Sequence, residues 1–381
     1  MQSSVNLSFT FLRFEVLCKK RRSPLKSRKN QKFVSAFILA LIQSRNRSAD
    51  AVQFCEVAQH FNDDVKLASN ENRIQDFFRE VDIDYQCLAL LIIALMPKKK
   101  KLRICIDRTE WDFGTCQVNI LMVLVGHSDL QVPLFWELLD NKSGNSNSQD
   151  RIDLLEQCFK VLDKKRVGLI IGDREFVGKK WIKYLKDNKL NFIMRFPKHH
   201  LLTDETGDSW RVEELALALN QSYCLSNMIV DGCVGHVWLM RLNESDYLYL
   251  FGNVEPKLMG QLYRKRWSIE SCFQNLKGRG FDLEKTHLQR LEKLSKLVGL
   301  VSLAYCFCLS LGIYVHEKVQ FMRKKNHGYK ANSFARYGLN QLRALMRGEL
   351  HQEVLLWPLL QQVFGWLKRQ LVKNQPTILA G

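Results

Sequence analysis

The 381-residue chain contains no CxxC pair and no Cys/His array at zinc spacing, although it has eleven cysteines scattered from Cys18 to Cys308. That excludes a zinc-held design, and the thiols read as reduced, mostly buried small hydrophobes in a reducing compartment. No export signal is evident: Arg13 and Glu15 break the first apolar patch, and the basic run follows that patch in the wrong order. The expectation is a cytoplasmic protein. Acidic residues are in short supply, 39 against 57 Lys and Arg, which leaves a formal net charge of +18. General solubility needs neither one sign nor clusters such as KKRR, KSRK and KKKK. A polyanionic partner is therefore expected, nucleic acid first and an anionic membrane surface second. Long apolar runs are scarce too. Leu297 to Val315 is near the minimum for a membrane span, but its serines, glycines and cysteines dilute it, so a buried core helix and no membrane are expected.

What is present describes a soluble globular chain of two or three domains, with 46% hydrophobic and 25% charged residues. Residues 1–32 read as a basic arm or a basic first helix. From Phe33 to about Met96 apolar positions recur at helical spacing in four segments, a small all-helical domain. Pro97 and the lysines after it mark a boundary, and then the period changes. LRICID, QVNILMVLVG and QVPLFWELLD read as a three-stranded meander, with Arg108, Thr109 and Glu110 turning the chain after the first strand. The helix RIDLLEQCFKVL, the strand VGLIIG, the helix KKWIKYLKD and the strand NFIMRF follow. Three strands, helix, strand, helix, strand is the order of an RNase H-like mixed sheet with flanking helices, its central strands apolar on both faces. In that order the first and fourth strands are neighbours, so Asp107 and Asp173 should emerge close together. Either aspartate alone could instead be a turn or cap residue. Residues from about 198 to 255 read as a β-rich insertion in which only VEELALAL is helical, and 316–381 as a helical, basic C-terminal region.

The chain is organised around KLMGQLYRKRWSIESCFQNLKGRG, Lys257 to Gly280, read as one helix with Leu258, Leu262, Ile269, Phe273 and Leu276 on its core face and Gly278 at its stop. Tyr263, Arg266, Glu270 and Lys277 fall within an arc of about 60° beside that stripe. A phenol, two cations and a carboxylate together suit phosphate and a metal ion, whereas the plainer reading is a solvated face with i,i+4 ion pairs.

Tyr263, Arg266, Glu270 and Lys277 reproduce the spacing Y-x2-R-x3-E-x6-K, which resembles the signature of the insertion sequence four family of DDE transposases. Asp107-Arg108-Thr109 and Gly172-Asp173-Arg174-Glu175-Phe176 look like that family's two aspartate boxes. The likeness covers about Lys101 to Leu311. It implies an RNase H-like catalytic domain over 97–315, a DNA-binding role for 33–96, and a dimer holding paired element ends in the nucleoid-bearing cytoplasm. Asp107, Asp173 and Glu270 would be both the catalytic and the metal-holding carboxylates, and Tyr263, Arg266, Lys277 and Arg174 the DNA contacts. Oxygen-only donors select Mg2+ or Mn2+. The implied reaction is cut-and-paste transposition: nicking at each end, a hairpin, its opening, and strand transfer. Relatives hold a flipped base with an aromatic, a part Trp238 or Trp210 could take, although packing of the insertion is the plainer reading of both. Two other readings stand beside it: a DNA-binding inhibitor derived from a transposase, and an RNase H-fold nuclease that cuts without joining.

Overall fold

The structure is a computed structural model that describes residues 27–44, 52–61, 64–96, 101–113, 116–128, 130–139, 146–277, 280–326, 328 and 330–346. Four expectations lie outside these residues: most of the basic arm, the Pro97 boundary with Lys98 to Lys100, the helix stop at Gly278, and the apolar stretch around Pro358. The chain divides into two compact units, one of residues 1–98, 111–117 and 271–381 and the other of residues 99–110 and 118–270.

The first unit is helical. Its N-terminal part contains α1 (Arg28–Ser44), α2 (Phe54–Ala58), α3 (Leu67–Glu80) and α4 (Tyr85–Leu95), matching the four periodic segments. Phe33, Phe37, Phe54, Phe61, Phe77 and Phe78 form one aromatic core there, with Phe33 stacked on Phe77 at 4.3 Å between ring centroids. The C-terminal part contains α9 (Leu291–Lys318) and α10 (Phe334–Met346). By length and composition α9 could cross a membrane, but its most apolar window is wholly buried in the protein. A helix end leaves carbonyls without intrahelical partners. Side chains from the later helices bond to three such ends: Lys296 Nζ to Phe78 O at 3.2 Å, Ser310 Oγ to Leu95 O at 2.8 Å and Arg343 Nε to Ile42 O at 2.7 Å. Buried cations are thereby given acceptors, and α3, α4 and α1 are tied to α9 and α10. The α9–α10 crossing is close enough to need glycine. A Cβ on Gly312 would stand 1.9 Å from the Phe334 carbonyl oxygen, and one on Gly338 2.0 Å from that of Cys308.

The second unit is built on a sheet of ten strands in the order β3-β2-β1-β4-β5-β10-β9-β8-β6-β7. These are β1 (Leu102–Phe113), β2 (Cys116–His127), β3 (Leu130–Leu139), β4 (Val167–Gly172), β5 (Phe192–Arg195), β6 (Leu201–Thr203), β7 (Ser209–Arg211), β8 (Ser222–Val230), β9 (Cys233–Arg241) and β10 (Tyr247–Gly252), with the tip of the first hairpin counted in the helical unit. β4 runs parallel to both β1 and β5; α5 (Ser148–Phe159) leads from β3 into β4, and α6 (Lys179–Asp187) connects β4 to β5. This is the RNase H-like order expected from the sequence. The central strands read as apolar runs because they are buried on both faces.

Two local expectations are corrected. β1 does not end at Asp107: Arg108, Thr109 and Glu110 continue the strand to Phe113. VEELALAL is not a helix, since only Val212–Glu214 forms a single 3-10 turn and Leu219 then bridges to Arg241 of the sheet. The segment expected as a β-rich insertion is rich in strands and continues the same sheet, where β10 pairs antiparallel with β5.

Candidate active site

The β1–β4 register brings the first two carboxylates together. Ile106 lies opposite Gly172, so Asp107, within β1, and Asp173, the first residue past β4, emerge side by side from two adjacent parallel strands. Gly172 is required there, since a Cβ would meet Met194 Sδ and Phe176 Cβ at 2.7 Å. Phe176 N–H bonds back to Asp173 O at 2.9 Å, a tight turn that leaves the Asp173 side chain at the strand's end.

The third carboxylate comes from the segment after β10, which is not one regular helix. α7 (Pro256–Tyr263) passes through a 3-10 turn at Arg264–Arg266 into α8 (Trp267–Leu276). The buried stripe is correspondingly Met259, Tyr263, Ile269, Cys272 and Leu276, while Leu258 lies exposed. Such a tightened turn inside a helix is a recurrent mark of functional segments. Here it carries Arg266, whose guanidinium reaches all three acids: Nη1 is 3.3 Å from Asp107 Oδ2 and 3.7 Å from Asp173 Oδ2, and Nη2 is 2.9 Å from Glu270 Oε1. Tyr263 Oη donates to Asp173 Oδ1 at 3.4 Å, and the Arg266 guanidinium lies over the Tyr263 ring at 5.9 Å. The Asp107 and Arg266 side chains are each 16% exposed, against 31% for Asp173 and 33% for Glu270. The group is therefore closed at Asp107 and open along the other two acids.

Burial pushes the Asp107 carboxyl up to about 7. Arg266 and the Arg108 N–H oppose that rise, while Asp173 and Glu175 add to it. Burial followed by the nearby Asp173 charge likewise raises Tyr263, which stays a neutral phenol able to donate. Among the described residues no three His, Cys, Asp or Glu side chains stand grouped at metal-binding spacing. The three carboxylates are gathered around Arg266 instead. Their chemistry nevertheless fits a divalent cation: the donors are all carboxylate oxygens, and they come from three separate segments gathered at one point.

The structure thus brings Asp107, Asp173, Glu270, Tyr263 and Arg266 together. Arg174 is exposed beside Asp173 and makes no ion pair among the described residues. Lys277, at the end of the signature, belongs to the helical unit, where its Nζ is 3.2 Å from Glu284 Oε1. Trp238 is buried within the sheet unit against Gly260, and Trp210 is partly buried in the edge strand β7.

Two features escape the sequence reading. Arg195, at the end of β5, places Nη1 4.0 Å from Asp173 Oδ1 and Nη2 3.6 Å from Asp246 Oδ1. A charge closing an apolar strand beside VGLIIG is the signal that could have found it. Arg108 joins Glu175 at 2.8 Å and also Glu110 and Asn119, so the two glutamates nearest the aspartate boxes are both held by Arg108.

Residues 99–307, more than half of the chain, match the profile of the family described as Transposase DDE domain. Comparison with curated proteins finds no match. Solved structures that resemble the chain include a piggyBac transposase synaptic complex with hairpin DNA, at 13% identity and a TM-score of 0.45 over 98% of this chain and 82% of that one. Another is Argonaute of Marinitoga piezophila in complex with 5′ OH guide RNA, at 10% identity and a TM-score of 0.21 over 56% of this chain and 34% of that one. Both likenesses are remote.

Proposed function

The chain belongs to the Transposase DDE domain family, and on that premise we propose that it is a transposase of the insertion sequence four type that moves a DNA element by cut-and-paste transposition. The steps would be terminal strand nicking, a hairpin intermediate and strand transfer. The observation that carries this reading is the meeting of Asp107, Asp173 and Glu270, far apart in sequence, at the single guanidinium of Arg266.

In this reading Asp107, Asp173 and Glu270 hold Mg2+ or Mn2+. Such an ion, when bound, supplies Lewis-acid polarisation of a phosphoryl oxygen and lowers the pKa of a water or 3′-hydroxyl. The chain's own groups bind and orient the DNA. Arg266 offers a planar fork to two phosphate oxygens, Tyr263 donates from a phenol that does not ionise, and Lys277 and Arg174 add positive charge along the strand. Residues 33–96 grip the terminal repeats, assisted by the basic arm of 1–32, residues 97–315 carry the chemistry, and residues 316–381 help pair two protomers on two ends. The working compartment is the cytoplasm, on the nucleoid.

The test is a gel assay with Mg2+ on pre-nicked ends taken from the DNA flanking the reading frame. Joined product identifies a transposase, cut product alone a nuclease, and a shifted band without either a DNA-binding inhibitor. Glu270→Gln is expected to keep the shifted complex and to lose both cutting and joining. Robust activity in that variant would remove Glu270 from the site.

A further inference from the structure

Three carboxylates brought together at the end of a sheet repel one another unless a positive charge lies among them. The described structure supplies that charge from within. Arg266 directs Nη1 toward two aspartates and Nη2 toward Glu270, at 2.9 to 3.7 Å. One side chain thereby links β1, the turn after β4, and α8. A guanidinium can donate but cannot ligate a metal, so the centre it fills is denied to any other cation. Arg266 ends the 3-10 turn between α7 and α8, and Tyr263, three residues before it, holds its own bond to Asp173 at 3.4 Å.

We propose that Arg266 is the built-in counter-cation of this carboxylate triangle, gathering Asp107, Asp173 and Glu270 before a divalent ion enters and yielding the place when one does, so that its fork is released to the DNA phosphate. This rests on the metal-binding reading above. The consequence is a linkage. Metal and guanidinium compete for the same oxygens, so ion entry and the freeing of a phosphate-binding group are one event. The three acids would also be aligned in the metal-free protein rather than splayed.

Isothermal titration of the full-length protein with Mn2+, without DNA, tests this on wild type, Arg266→Gln, Arg266→Lys and Asp107→Asn, with circular dichroism checking the fold of each. Arg266→Gln is expected to bind Mn2+ about tenfold more tightly than wild type, since the competitor is gone. Its metal-free form should melt lower, and Mn2+ should raise its Tm by more. Arg266→Lys keeps a charge but not the fork and should bind Mn2+ more tightly than wild type by a smaller factor; it decides the matter if the glutamine variant does not fold. Equal or weaker Mn2+ binding in the Arg266 variants, with Asp107→Asn still abolishing it in wild type, would overturn the counter-cation role and leave the metal site standing. Mn2+ binding indifferent to Asp107→Asn would overturn the metal site, and this proposal with it.

Discussion

Asp107 is the least exposed of the three acids, and burial holds its proton up to about 7 in the folded chain, against 3.8 for an ordinary aspartate. Between those values the folded state binds more protons than the unfolded one, so this residue's contribution to stability is complete below the lower value and lost as pH rises through the upper. Melting the metal-free protein in EDTA against Asp107→Asn should therefore show the variant gaining on wild type between pH 5 and pH 8, by about 3 °C or more, and by little further above pH 8. A constant difference across that range would mean that Asp107 titrates normally. The residues of this site were legible where the signal is local. Asp107 and Asp173 end apolar runs that do not need them, and Tyr263, Arg266 and Glu270 keep a fixed spacing. Arg195 and the Arg108–Glu175 pair were not legible, because their meaning lies in which strand stands beside which. The three-way contact at Arg266 was not either: three acids from three elements cannot be assigned to one guanidinium along a sequence.

At the scale of elements, the strands and the four N-terminal helices follow from periodicity, and the discrepancies have physical causes. A 3-10 turn differs from an α-turn by one hydrogen-bond step, so Lys257 to Leu276 keeps the apolar spacing of an unbroken helix while its middle is tightened. VEELALAL is too short to be helical by itself, and the pairing of Leu219 with Arg241 outweighs its pattern. Asp107 looked like the last residue of a strand because the apolar run stops there, yet the backbone ladder does not require apolar side chains. The crossing of α9 and α10 makes a sharper demand than either helix's composition shows. Gly312→Ala would drive a methyl group into the Phe334 backbone, which cannot yield as a side chain tip would. The expected cost is about 3 kcal/mol, read as a lower urea midpoint, whereas alanine at an exposed position of the same helix should leave it unchanged.

For the molecule as a whole, the net charge of +18 predicts how it meets DNA. If about six phosphates are neutralised, the logarithm of the affinity for a short duplex should fall with the logarithm of salt concentration at a slope near −5. Filter binding between 50 and 200 mM KCl would measure it. A slope near zero would remove the electrostatic reading of the charge, whatever the fate of the carboxylate site. The basis for that excess was legible at once from composition, but which face bears it is not a property that composition carries.

The continuity of the ten-stranded sheet bears on any attempt to trim this protein. β10 joins the strands bearing Asp107 and Asp173 to the hairpins that follow, and Leu250, Phe251 and Gly252 pair with Arg195, Met194 and Ile193 of β5. Excising residues 198–252 would leave the outer border of β5 as a bare row of amides and carbonyls flanked by apolar side chains, ready to recruit another polypeptide. The shortened product should scatter light and sediment as aggregates rather than persist as a smaller soluble enzyme, so what reads along the sequence as an addition is a seal.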